Sequence, residues 1–261
     1  MQKLPKALLL AGALGLSVAS GAAHAQAAPA PAPAEPPSDH SFTGKIALYS
    51  EYEYRGISQT SEKPALQLNL DYGHASGFYI GTFLTNIRWL EDAAEVSGFH
   101  TDANIEWDIY LGWKKEIAPD TTIDVGYLRY EYPNSGAFNP RPNTDEGYVG
   151  VTWKWLNVKY SHSFNNTFGV PNSKNSYFIE ANIAYPITEK ITLTGHLGHQ
   201  EFKNNDSLSY TVYKLGGVYD FGAGLTAGAY FKGTDAEEAL YTIKGRDWSK
   251  ERLVAFVSYS F

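Results

Sequence analysis

The chain has 261 residues, no cysteine, 15% aromatic residues and a formal charge of −7, with a mean hydropathy of −0.32. The missing cysteines exclude a disulfide framework and a thiolate metal site. The acidic balance argues against nucleic acid, whose binders carry basic faces.

Lys3 and Lys6 precede the apolar run ALLLAGALGLSVAS (7–20), and Ala23-His24-Ala25 fits a small-x-small cleavage site. The run is too short to span a bilayer, so residues 1–25 read as a secretory signal peptide. The tract AAPAPAPAEPPS (27–38) follows. Each proline fixes φ and lacks an N–H, which keeps the chain extended, so 26–40 reads as a linker. The folded part is 41–261.

Beyond residue 40, apolar residues recur with period two rather than at helical spacing, which predicts strands. They are expected near 43–55, 63–74, 77–89, 102–115, 120–132, 146–155, 156–165, 175–186, 190–202, 208–220, 224–233 and 250–261. In 102–113, Ala103, Ile105, Trp107, Ile109, Leu111 and Trp113 share one face, while Asp102, Glu106 and Asp108 share the other. TIDVGYLRY (122–130) changes phase partway, and FYIGTFL (78–84) is apolar on both faces.

Alternation suits a soluble sandwich, apolar face inward, or a membrane barrel, apolar face to lipid. Three features favour the barrel. The strands are long, suited to a tilted bilayer crossing. Their number is about twelve and even. Short connections (near 74–77, 118–120, 155–157, 187–189 and 221–224) alternate with mostly longer ones, as periplasmic turns alternate with outer loops. The predicted fold is therefore an all-β transmembrane antiparallel barrel of about twelve strands, with periplasmic termini, in the outer membrane of a Gram-negative bacterium. Aromatics near strand ends, among them Tyr52, Tyr54, Trp89, Trp113, Trp153, Trp155, Tyr185 and Tyr259, are expected to form interfacial girdles.

Strand parity places Lys45, Glu51, Glu53, Arg55, Asp71, Arg88, Asp102, Glu106, Asp108, Lys154, Lys159, Glu180, Lys214, Lys232, Lys250 and Arg252 toward the lumen. On the lipid side a Lys or Arg at midplane costs about 2–4 kcal/mol. Carboxylates dominate 102–113 and cations dominate the later strands, so acidic and basic walls should set a field across a narrow pore. In the last strand Leu253, Ala255, Val257, Tyr259 and Phe261 face lipid. A strand ending in Phe is similar to the signal that outer-membrane barrels present to their insertion machinery, so Val257, Tyr259 and Phe261 read as an assembly signal.

The order Tyr52-Glu53-Tyr54-Arg55-Gly56-Ile57-Ser58-Gln59-Thr60, then Pro64-Ala65-Leu66-Gln67, Leu70-Asp71-Tyr72, Ser76-Gly77-Phe78-Tyr79-Ile80-Gly81 and Asn86, resembles the TorF family of porin-like proteobacterial outer-membrane proteins. In that family an aromatic-Arg-Gly-x-Ser-Gln motif ends the first strand and Ser-Gly-Phe-Tyr-x-Gly starts the third. The resemblance implies a porin-like role and no catalytic residue.

Enzyme signatures are lacking: there is no Gly-x-Ser-x-Gly elbow and no His-Glu-x-x-His. Among strand histidines, His162, His196 and His199, only an inward pairing of His196 with Ser163 offers a hydrolase geometry. The acidic loop of Asp235, Glu237 and Glu238 reads as solvated. No enzyme activity, cofactor or metal is expected. The expected function is passive diffusion of small polar or charged solutes, with outer-membrane lipid, the insertion machinery and the solutes as partners. The alternatives are a structural or adhesive barrel without an open pore, and a barrel hydrolase.

Overall fold

The computed structural model describes residues 38–261; the signal-peptide reading and most of the linker reading lie outside them. Twelve strands close into one antiparallel barrel: β1 (His40–Tyr49), β4 (Ala65–His74), β5 (Phe78–Asn86), β6 (Ile105–Ala118), β7 (Thr121–Glu131), β8 (Thr144–Trp153), β9 (Leu156–Ser163), β10 (Tyr177–Pro186), β11 (Ile191–Glu201), β12 (Tyr210–Gly222), β13 (Leu225–Thr234) and β16 (Arg252–Ser260). Two small hairpins lie in loops: β2 (Glu53–Tyr54) with β3 (Ile57–Ser58), and β14 (Thr242–Ile243) with β15 (Arg246–Asp247). Helices α1 (Trp89–Val96) and α2 (Glu238–Tyr241) also belong to loops.

Sequence neighbours pair around the ring, and β1 closes it against β16, from Lys45↔Ser260 to Tyr49↔Phe256. The seam runs one residue further in backbone bonds. Gly44 and Phe261 exchange them at 2.8 and 2.9 Å. The Phe261 ring lies over Gly44, where a Cβ would stand 2.5 Å from two ring carbons.

Period two sorts the side chains. In β6, Trp107 and Leu111 are exposed outside, while Glu106, Asp108 and Tyr110 are buried inside. In β5, Phe78 and Ile80 point out and Phe83 points in. Both faces of FYIGTFL are apolar because Phe83 packs inside against Tyr52, with ring centroids 5.9 Å apart. The turns at 75–77, 119–120, 154–155, 187–190 and 223–224 are short, and the segments at the other end are long. Left-handed residues make the tight turns: Asp120 (φ 58°), Lys154 (φ 53°) and Gly224 (φ 84°). Exposed rings gather near the short-turn end, among them Trp153, Trp155, Tyr185, Tyr259 and Phe261.

The strand expected over 43–55 ends at Tyr49. Residues 50–64 leave the wall, and β2–β3 folds back into the barrel. Tyr52 and Tyr54 therefore form no girdle. Tyr52 is buried in one interior cluster with Phe83, Tyr110 and Tyr130. Ile57 is buried in a second, with Phe178, Val212 and Trp248. Trp89 belongs to α1 and packs against both clusters. The short α1 escapes the period-two reading because only Leu90 and Ala94, one turn apart, supply its buried apolar face.

Candidate functional site

The β2–β3 hairpin crosses the lumen. The Tyr54 hydroxyl meets that of Tyr130 on β7 at 2.6 Å. Lys232 on β13 donates to the Gly56 carbonyl at 2.9 Å. These strands are diametrically opposite in the ring. Between them, Arg55 donates to both Glu146 oxygens on β8 at 2.7 and 3.1 Å and to Gln200 on β11 at 2.6 Å. Its guanidinium lies between the rings of Tyr54 (4.7 Å) and Phe178 (4.3 Å). Glu53 accepts from Lys214 on β12 and from the Tyr230 hydroxyl at 3.1 Å.

The local backbone explains why this segment folds inward. Arg55 (φ 48°) and Gly56 (φ 86°) are both left-handed, a pair suited to the tip of a tight hairpin. At Gly56 an added Cβ would come within 2.6 Å of Val212 and Thr234, so only glycine lets the tip reach the wall. The Gly56 amide donates to Glu53 at 2.7 Å across the turn. The return strand is tied to two other loops. The Ser58 amide donates to the Trp248 carbonyl at 3.0 Å, and the Gln59 carbonyl accepts from the amides of Arg88 and Trp89 at 2.8 and 3.1 Å.

The charges are complementary. Glu106, Asp108 and Glu146 make an acidic wall, all buried, and the hairpin presents Arg55 to it. Lys214 and Lys232 make a basic wall, and the hairpin presents Glu53. Tyr52 and Tyr132 donate to Glu106 at 2.7 and 3.1 Å, whereas neither Asp108 carboxylate oxygen accepts a hydrogen bond from the described residues. A buried ion pair gains little net stability because desolvation offsets attraction, but removing one partner strands the other at a cost of about 3–5 kcal/mol. These contacts therefore fix where the hairpin sits more than how stable the barrel is.

Toward the short-turn end the lining stays polar. Lys159 pairs with Glu180 at 3.3 Å. His196 lies 3.5 Å from Glu180 and 2.7 Å from the Asn182 oxygen. Tyr79 donates to Asp124 at 2.6 Å and Tyr110 to Asp71 at 2.5 Å. The Lys45 side chain points inward and, among the described residues, makes no hydrogen bond or ion pair.

Of the residues assigned to the lumen, Lys45, Asp71, Glu106, Asp108, Lys159, Glu180, Lys214, Lys232 and Arg252 lie on the inner side of barrel strands. Glu51, Glu53 and Arg55 are inside too, but on the inserted segment rather than the wall. Four lie off the inner face, each because it falls outside the observed bounds of its strand. Arg88 sits at the start of α1, near Glu91 and Asp92. Asp102 is exposed before β6 and pairs with His100 at 3.4 Å. Lys154 occupies a tight turn over the Trp153 ring. Lys250 is exposed before β16. Sequence reasoning missed Glu146 and Gln200, the two wall partners of Arg55. The inward parity of β8 and β11 could have found them. Ser163 donates to Glu146 at 3.3 Å, so it is engaged away from His196. His162 faces outward with Tyr160 and Phe164.

At the hairpin stem, Arg252 reaches Glu62 at 2.6 Å and Glu51 at 3.9 Å. The Glu62–Arg252 bond holds the Glu62 carboxyl below its ordinary value. Its contribution is complete above the unfolded pKa of about 4.3 and fades as pH falls through the lower folded value. Burial pushes Glu51 the other way, so it opposes acid loosening. Hydrogen exchange over 50–64, corrected for intrinsic rates, should speed up in wild type below pH ~4, and Glu62→Gln should flatten that pH response.

The fold is that of known porins. The KdgM porin superposes with a TM-score of 0.54 at 11% identity, over 84% of this chain and 99% of that one. The NanC porin gives 0.54 at 14%, over 85% and 99%. The deltaS2S3 mutant of the TodX monoaromatic hydrocarbon channel gives 0.50 at 11%, over 86% and 90%. At such identities the likeness is one of fold. No curated protein matches the sequence. Residues 33–261 match a family described as bacterial proteins of unknown function, Gcw_chp, and the chain belongs to that family.

Proposed function

We propose that this protein is an outer-membrane channel of the porin type, passing small polar or charged solutes through a narrow charged lumen that the β2–β3 hairpin constricts. The observation that carries the proposal is the inside-out sorting of a closed barrel. The exposed face bears Leu, Ile, Val and aromatic side chains from strand to strand, and ion pairs fill the inside. Water would penalise so continuous an apolar surface; a bilayer requires it. The resemblance to the TorF family supports the same role, and the aromatic-Arg-Gly-x-Ser-Gln motif that carries it is the hairpin itself. In this reading the short turns and termini are periplasmic, a signal peptide over 1–25 exports the chain, and Val257, Tyr259 and Phe261 are read by the insertion machinery.

The hairpin also favours a second reading, a structural barrel whose lumen stays shut. Detergent-purified protein should first show heat-modifiable mobility on a gel, as folded barrels do. In planar bilayers it should then give discrete conductance steps, and liposomes containing it should swell in small charged solutes. A folded preparation with neither steps nor swelling would overturn the channel and leave the shut barrel.

A further inference from the structure

A cavity of about 230 Å³ lies beside the hairpin stem, lined by Ser61, Lys63, Arg88, Asp92, Lys244 and Arg246. Three separate loops build it: residues 50–64 bring Lys63, α1 begins beside Arg88, and the β14–β15 turn brings Lys244 and Arg246. Four of the six lining residues are cationic and one is acidic. That carboxylate, Asp92, is buried and already engaged. It accepts from the Ser61 hydroxyl, from Lys244 at 3.2 Å, and lies 4.0 Å from Arg88. Glu91 and Glu95 meet Arg88 and Lys244 but do not line the cavity. Arg246 makes no ion pair with a carboxylate among the described residues, although its charge is felt by Glu62 on the neighbouring stem; it donates to the Ser61 carbonyl at 3.1 Å. Lys63 makes no ion pair among the described residues. Ser61 (φ 51°) and Lys244 (φ 52°) hold left-handed conformations. Such conformations cost non-glycine residues about 1–3 kcal/mol and persist where the surroundings impose them.

The geometry points to a binding site for a compact multivalent oxyanion, of phosphate type, in this cavity. Asp92 satisfies one side of the cationic ring, and Lys63 and Arg246 remain to hold further negative oxygens. A guanidinium offers paired donors to such a group and an ammonium a point charge. The site stands whether or not the lumen conducts, since binding is read on the folded protein alone.

Calorimetry on the folded full chain in zwitterionic detergent, with inorganic pyrophosphate as the probe, tests it. Saturable binding is expected, with acetate at equal ionic strength giving none. Arg246→Gln should weaken it about tenfold or more, the loss of one charge-assisted contact. Lys63→Gln should also weaken it and removes no side-chain hydrogen bond or ion pair among the described residues, so it decides the matter if Arg246→Gln does not fold. Lys154→Gln, in a turn at the opposite end, should bind like wild type. Absence of saturable binding, or equal binding by wild type and both cavity variants, would overturn the site. Binding seen only with a bis-phosphorylated lipid in nanodiscs, and not with pyrophosphate, would overturn it as a site for a free anion.

Discussion

Reversing the charge of Arg55 should raise single-channel conductance. In Arg55→Glu, the new carboxylate would face Glu146, which is fully buried beside it. Removing one partner from such a pair costs about 3–5 kcal/mol, and at about 1.4 kcal/mol per decade the balance between seated and withdrawn hairpin would shift by roughly a hundred- to a few thousandfold. The hairpin can relieve the repulsion by leaving the lumen, a route closed to a residue of the wall. Mean conductance should therefore approach that of a variant in which 51–61 is replaced by a Gly-Ser linker. Adding Glu146→Arg to Arg55→Glu should restore the seated state, and the double-mutant cycle should show strong coupling. If the charge reversal and the linker variant both fold and both conduct like wild type, the hairpin does not constrict the path.

The second large effect concerns the seam. Deleting Phe261 orphans the N–H and C=O of Gly44 and uncovers the glycine. In hydrocarbon each unpaired backbone group costs several kcal/mol, and the seam is only a few residue pairs long. Folded protein in the outer membrane should fall several-fold, while channels that do form should conduct normally because the ring lies outside. Gly44→Val should mimic the deletion, since its side chain would displace the ring. Ser260→Ala, on the inner side, should assemble normally. Normal abundance of the deletion would remove Phe261 from assembly; altered conductance would place its ring inside.

The wall was legible because a barrel between lipid and a polar interior imposes one rule along most of each strand, which Trp107, Leu111, Leu253 and Val257 obey; β7 departs from it near its loop end, where Leu128 turns in and Arg129 faces out beside Glu131 and Asp145. Strand count, alternation of turn length and closure follow from that rule. The hairpin was not legible because Glu51-Tyr52-Glu53-Tyr54-Arg55 keeps the period of the strand before it. Its polar and aromatic residues sit where a longer first strand would put them. What alternation cannot convey is that the apolar partners of Tyr52 and Ile57 lie inside the barrel, on strands far away in sequence. The one local clue was Arg55-Gly56, a turn where the strand was read as continuing. Arg88, Asp102, Lys154 and Lys250 share a simpler cause: parity was extended past the ends of the strands, where side chains answer to loop geometry.

A closed ribbon of twelve strands resists stretching along its hydrogen bonds but resists flattening poorly, since ovalisation only bends each joint slightly. The hairpin spans one diameter, anchored at Tyr130 on one side and Lys232 on the other. It therefore acts as a strut, fixing the width of the cross-section along that axis. In the proposed channel, the segment that narrows the lumen would also hold the barrel against ovalisation along that axis.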